Sequence, residues 1–89
     1  MAKKATATVT FTLKDGTVKT FKNHPITIQS DGSVDISLPQ GRIVPGTDSK
    51  VVIDVNGKTF SGTATSKAGA NNTTEVTLPA GTVSGAAVA

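Results

Sequence analysis

Cysteine, tryptophan and tyrosine are absent from this chain of 89 residues, and it holds one methionine and three phenylalanines. Without cysteine there is no disulfide and no thiolate metal site to staple a small fold. Without Trp and Tyr there is no broad aromatic platform for a sugar or a base. His24 is the only histidine, so a histidine-rich metal centre is excluded and general-base chemistry has one histidine candidate. No apolar run approaches membrane-spanning length. Met1-Ala2-Lys3-Lys4 leads into alternating Thr and Ala, so no signal peptide is expected. Nine basic and six acidic residues leave a net charge of +3. The lysines are dispersed, which fits a solvated surface better than a nucleic-acid footprint. No membrane partner and no nucleic acid are expected.

What the chain does contain is β pattern. Ala7, Val9, Phe11 and Leu13 alternate with Thr6, Thr8, Thr10 and Thr12, the period of a half-buried strand. Asp15-Gly16 predicts a two-residue turn that pairs Leu13 with Val18 and Phe11 with Thr20, which places Phe21 on the Thr-rich face. Asn23-His24-Pro25 predicts a bend, a bulge or an edge, because Pro25 has no N–H. Around Asp31-Gly32 a three-residue loop, Ser30-Asp31-Gly32, sets Ile28 opposite Val34 and Ile26 opposite Ile36, and the apolar register selects it. Ile43-Val44 suggests a short strand before the Pro45-Gly46 midpoint. Asn56-Gly57 predicts a second hairpin, with Ile53 opposite Phe60. Ser66 to Asn72 reads as a polar loop, and Thr74, Val76 and Leu78 as a last strand.

The second half echoes the first. Asp35-Ile36-Ser37-Leu38-Pro39-Gln40-Gly41-Arg42-Ile43 returns as Glu75-Val76-Thr77-Leu78-Pro79-Ala80-Gly81-Thr82-Val83, and Lys19-Thr20-Phe21 as Lys58-Thr59-Phe60. The expectation is one all-β domain over 1–89: a small barrel or sandwich of two pseudo-repeated antiparallel meanders, halves about 6–46 and 49–85, with terminal arms 1–5 and 84–89.

No motif carries chemistry. Leu-Pro-x-Gly occurs twice but lacks the threonine of a sortase signal and the span after it; Pro stops the ladder and Gly makes the turn. Asp15 and Asp31 are explained by turns. Asp35 and Glu75 are equivalent positions on outward strand faces, and a paired-carboxylate hydrolase would need them to converge in a cleft. Asn71-Asn72-Thr73-Thr74 reads as a polar loop rather than a glycosylated one. With no helix, a phosphate-cradling glycine loop is excluded. No catalytic residue, cofactor or metal ligand set is expected, and the chain is read as no enzyme.

The core inventory is thin, so docking on other subunits is the expected supplement. A short, Met-started, cysteine-free chain rich in Thr, Ala, Gly and Val, with light ends Met1-Ala2-Lys3-Lys4-Ala5 and Gly85-Ala86-Ala87-Val88-Ala89, resembles the small capsid decoration (cement) proteins of tailed phages. The resemblance implies a homo-oligomer that clamps a major capsid protein or another virion protein. It would be located on the capsid surface, or otherwise in the cytoplasm. The interface candidates are Lys3, Lys4, Phe21, Val83 and Val88. The alternative is a small β module that binds a ligand: immunoglobulin-like, carbohydrate-binding or specific for single-stranded nucleic acid.

Overall fold

The computed structural model describes residues 3–39 and 41–83. Seven strands form in chain order: β1 (Lys3–Leu13), β2 (Val18–Ile28), β3 (Val34–Pro39), β4 (Asp48–Val55), β5 (Lys58–Thr65), β6 (Lys67–Ala68) and β7 (Thr73–Leu78). They make one antiparallel sheet in the order β5-β4-β1-β2-β3-β7-β6. The sheet curls into a half-barrel, so the sandwich alternative does not occur. The inner face holds Val9, Phe11, Ile26, Ile28, Val34, Ile36, Leu38, Val51, Ile53, Val76 and Leu78, all buried. Strict alternation puts their polar neighbours outside.

The β1–β2 and β2–β3 turns are twins. Gly16 N–H donates to the Leu13 carbonyl at 2.9 Å and Gly32 N–H to the Gln29 carbonyl at 3.0 Å. The Asp15 and Asp31 carboxylates each accept the amide two residues on, Thr17 or Ser33, at 2.9 Å. Both glycines are left-handed, at φ 93° and 85°, as a three-residue loop requires. The loop before Val34 is therefore as expected, with Ile28 opposite Val34 and Ile26 opposite Ile36.

The first turn corrects the two-residue expectation. Its third loop residue shifts the register by one, and Phe11 faces Lys19 while Val9 faces Phe21. A shift of one flips faces. Phe21 therefore turns inward, half-buried and packed edge-to-face on Phe11 with ring centroids 5.6 Å apart, and Val18 turns out at 59 % exposure.

Asn56-Gly57 forms the expected two-residue turn, at φ 54° and 78°, with Ile53 opposite Phe60. Asn23-His24-Pro25 contains a bulge: between Ala7↔His24 and Val9↔Phe21, β1 supplies Thr8 while β2 supplies Lys22 and Asn23. Asn23 takes φ 53°, a left-handed conformation that Asn tolerates. The bulge lies inside the sheet, so β2 is no edge.

Three further expectations are corrected. Ile43-Val44 forms no strand. The segment read as an arm, 1–5, enters β1 at Lys3, which pairs with Ile28, because its alternation continues that of Ala7 and Val9. The segment 84–89 and Val88 lie outside the described residues. Ser66 is no loop residue in a polar surface but a buried pivot at 2 % exposure. It is the single residue between β5, which pairs with β4, and β6, which pairs with β7.

Ser66 holds the segment 44–47 through both its peptide unit and its hydroxyl. Its N–H donates to the Thr47 carbonyl (3.0 Å), and its carbonyl accepts from Gly46 (2.7 Å). Its Oγ accepts from the Thr47 amide (3.1 Å) and donates to the Val44 carbonyl (2.9 Å). Removing Oγ leaves the Thr47 amide and the Val44 carbonyl only their own 3.2 Å bond to each other. Ser66→Ala should therefore cost about 1 kcal/mol in a denaturant melt. An unchanged midpoint would show that the pivot does not depend on the hydroxyl.

The turn after β7 is fastened to the β2–β3 loop. Gly81 N–H donates to the Asp31 carbonyl (2.8 Å) and Val83 N–H to the Gly32 carbonyl (3.0 Å). A Cβ on Gly32 would stand 2.5 Å from the Val83 carbonyl oxygen, whereas one on Gly16 would meet nothing within 4 Å. Both positions carry the left-handed penalty of about 1 kcal/mol. Gly16→Ala should cost about that, and Gly32→Ala roughly twice as much or more, when their unfolding midpoints are compared.

Candidate functional site

Each candidate for acid–base chemistry already has structural partners. His24 reaches the Ser37 carbonyl through Nε2 at 2.8 Å. A carbonyl only accepts, so Nε2 carries the proton. Continuing the β2–β3 register by one residue from Ile26↔Ile36 puts Pro25 opposite Ser37. The imidazole thus donates beside Pro25, which has no amide proton of its own. Its ring also lies 5.8 Å from Phe21. That geometry closes a seam in the sheet.

Asp35 and Glu75 do share one outward face, diagonally across the β3–β7 ladder, because Asp35 pairs with Thr77 and Ser37 with Glu75. Thr77 Oγ1 donates to Asp35 Oδ1 at 3.2 Å, Gln29 Nε2 to Asp35 Oδ2 at 2.7 Å, and Ser37 Oγ to Glu75 Oε2 at 2.6 Å. Lys4 borders the same shallow cleft of about 250 Å³. Hydroxyl and amide donors from the sheet itself thus occupy both carboxylates. Among the described residues no group of three His, Asp or Glu side chains could hold a metal ion.

The interface candidates scatter. Lys3 and Lys4 are exposed at the start of β1, Phe21 faces the core, and Val83 is buried at 2 % exposure. They do not form one patch. Two other surfaces stand out. One is the outer edge of β5, which no strand among the described residues pairs. It runs beside a cleft of about 710 Å³ lined by Thr63, Thr65, Lys67, Glu75, Leu78 and Pro79, among others. The other is a recess of about 350 Å³ between the β1–β2 turn and residues 41–47. The edge could have been read from strand count only with the pairing known. The recess carries a faint signal, Arg42 and Val44 beside a glycine turn.

No protein family, curated protein or solved structure matches the chain.

The two turn carboxylates are the titrating groups with a definite direction. The Thr17 amide, then its hydroxyl, holds Asp15 below the usual carboxylate value, and the Ser33 hydroxyl, then its amide, does the same for Asp31. A depressed folded pKa gives stability that is present above the unfolded value near 3.8 and is lost as pH falls through the lower folded value. Asn keeps the acceptor oxygen without the titration. The Asp15→Asn/Asp31→Asn variant should therefore lose less stability than wild type between about pH 4 and about pH 2 in acid-unfolding curves. Parallel curves would place the acid sensitivity elsewhere.

Proposed function

We propose that this chain is a non-enzymatic structural protein that works by attaching to other protein subunits, in the manner of a capsid decoration protein on a phage head. The observation that carries the reading is the outer edge of β5, eight residues long and unpaired among the described residues. A two-residue turn makes Val55↔Lys58 a hydrogen-bonded pair, so the positions alternate from there. Thr59, Ser61, Thr63 and Thr65 then turn their N–H and C=O groups away from β4. Such an edge offers main-chain bonds to a strand of a partner, and most proteins cover or blunt it.

The same reading takes the chain as a doubled β unit. Ile36 and Val76, equivalent in the sequence echo, lie directly opposite each other in the β3–β7 ladder. Thr27↔Asp35 in one half corresponds to Lys67↔Glu75 in the other. Gln29 N–H bonds the Ser33 carbonyl at 2.8 Å, and Gly69 N–H bonds that of Thr73 at 2.8 Å, again 40 residues on. Both Leu-Pro-x-Gly turns carry a left-handed glycine, Gly41 at φ 91° and Gly81 at φ 83°, and then a buried aliphatic residue, Ile43 or Val83. These correspondences support two copies related by a local two-fold. A scaffold of that kind suits attachment near symmetry axes.

Co-sedimentation with assembled phage heads tests the function. Ser61→Pro removes one outward N–H and no ladder bond, which an edge strand tolerates. Wild type should pellet with the particles. The variant should stay in the supernatant with an unchanged circular dichroism spectrum. Failure of wild type to pellet, or equal pelleting of both, overturns this mode of attachment.

A further inference from the structure

The recess beside the β1–β2 turn has an apolar floor and a cationic rim. Leu13 and Ile43 form part of the floor, and Lys14, Lys19 and Arg42 stand around it. The one carboxylate at the rim, Asp15, accepts the Thr17 amide within its own turn. No ion pair engages Lys14 or Arg42 among the described residues. Val44 lines the same recess and is 74 % exposed, more than any other large hydrophobic side chain described.

That exposure is built rather than incidental. The Val44 carbonyl accepts from Ser66 Oγ at 2.9 Å and from the Thr47 amide at 3.2 Å, so buried bonds fix the backbone that displays the side chain. The other copy of the turn is treated differently. Gly81 and Val83 bond the Asp31 and Gly32 carbonyls and cover their loop, while Gly41 and Ile43 make no such bonds to Asn71 and Asn72. One turn closes the fold, and its counterpart is left facing solvent with an aliphatic residue ringed by three positive charges.

We infer that this recess is a docking site for an acidic segment of a partner protein that carries one aliphatic side chain between its carboxylates. The inference rests on the attachment reading above and names the chemistry of the partner. Charge complementarity selects the occupant: three cations face one carboxylate, Asp15, which attracts Lys19, so the rim keeps a positive excess that carboxylates of a partner would neutralise while its aliphatic residue covers Val44 and Leu13. A nucleic acid would need exposed rings to stack on, and Phe21 and Phe60 both pack against the core. A membrane surface has no side chain to place in a concave floor.

The probe is a blocked Asp-Glu-Leu-Asp-Glu peptide, titrated at low salt into the full chain and followed by amide chemical shifts. Saturable shifts are expected at Lys14, Lys19, Arg42 and Val44. Lys14→Glu/Lys19→Glu/Arg42→Glu should weaken binding about tenfold or more, and Val44→Ser about three- to tenfold. Asp-Glu-Ser-Asp-Glu should bind the wild type correspondingly more weakly. These side chains lie outside the buried core, and an unchanged unfolding midpoint would show that each variant is folded. The inference is overturned if millimolar peptide gives no saturation, or if the shifts fall elsewhere. It is equally overturned if the variants bind as wild type does, or if oligo-dT or anionic vesicles occupy the recess in preference to the peptide. If the peptide fails while wild type still pellets with particles and Ser61→Pro does not, the recess alone is wrong. If neither wild-type chain nor peptide binds, the attachment reading falls with it.

Discussion

The fold depends on how one strand changes neighbours at a single buried serine. β5 pairs along its whole length with β4, yet two residues later the same path pairs with β7 on the far side of the sheet. A strand can do this only by turning sharply. A sharp turn in a buried place exposes main-chain groups that must find partners. Ser66 supplies them from one side chain and one peptide unit. It thereby fixes the 44–47 crossing that joins the two halves. The curl of the sheet, the position of Val44 and the course of the β5 edge all follow from that junction.

Local features of the fold could be read from the sequence, and remote ones could not. Alternation located six of the strands, and the hairpin at Asn56-Gly57 and the loop at Asp31-Gly32 were legible because apolar residues on both sides agreed on one register. The Asp15-Gly16 turn misled because a two-residue loop pairs Leu13 with Val18, which looks apolar on both sides. What decides it is the Asp-Gly-Thr order, in which the carboxylate caps the amide of Thr17 and makes room for a third loop residue. Phe21 followed that choice from the outer face to the inner one. The pairings of β1 with β4 and of β3 with β7 leave no trace in a local pattern, since any alternating strand can partner any other.

Less of the candidate site was legible. His24, Asp35 and Glu75 are each hydrogen-bonded within the sheet, and those partners depend on strand pairings that the sequence does not display. Lys4 and Lys3 were singled out as part of a free arm, but alternation carries the strand back to Lys3. Ser66 offered no signal, because a serine among Thr, Lys and Gly reads as surface. The recess gathers residues from two segments separated by about one strand pair. Their convergence exists only after Leu13 and Ile43 are brought together.

The fastening of Gly81 and Val83 onto Asp31 and Gly32 has a consequence for how the chain is made. Residue 83 must have been synthesised before the loop at 31–32 can be covered, and β3 waits for β7 while β1 waits for β4. An N-terminal fragment ending near residue 46 would hold two hairpins with open edges and an uncovered apolar face. It is therefore not a folding unit, however complete its local turns are. Loop-closure entropy has to be met before most of the core exists, so the chain belongs among slow, late-folding β topologies rather than those that fold piece by piece during translation. During that wait the nascent chain presents sticky strand edges, and exposure to other chains is greatest then.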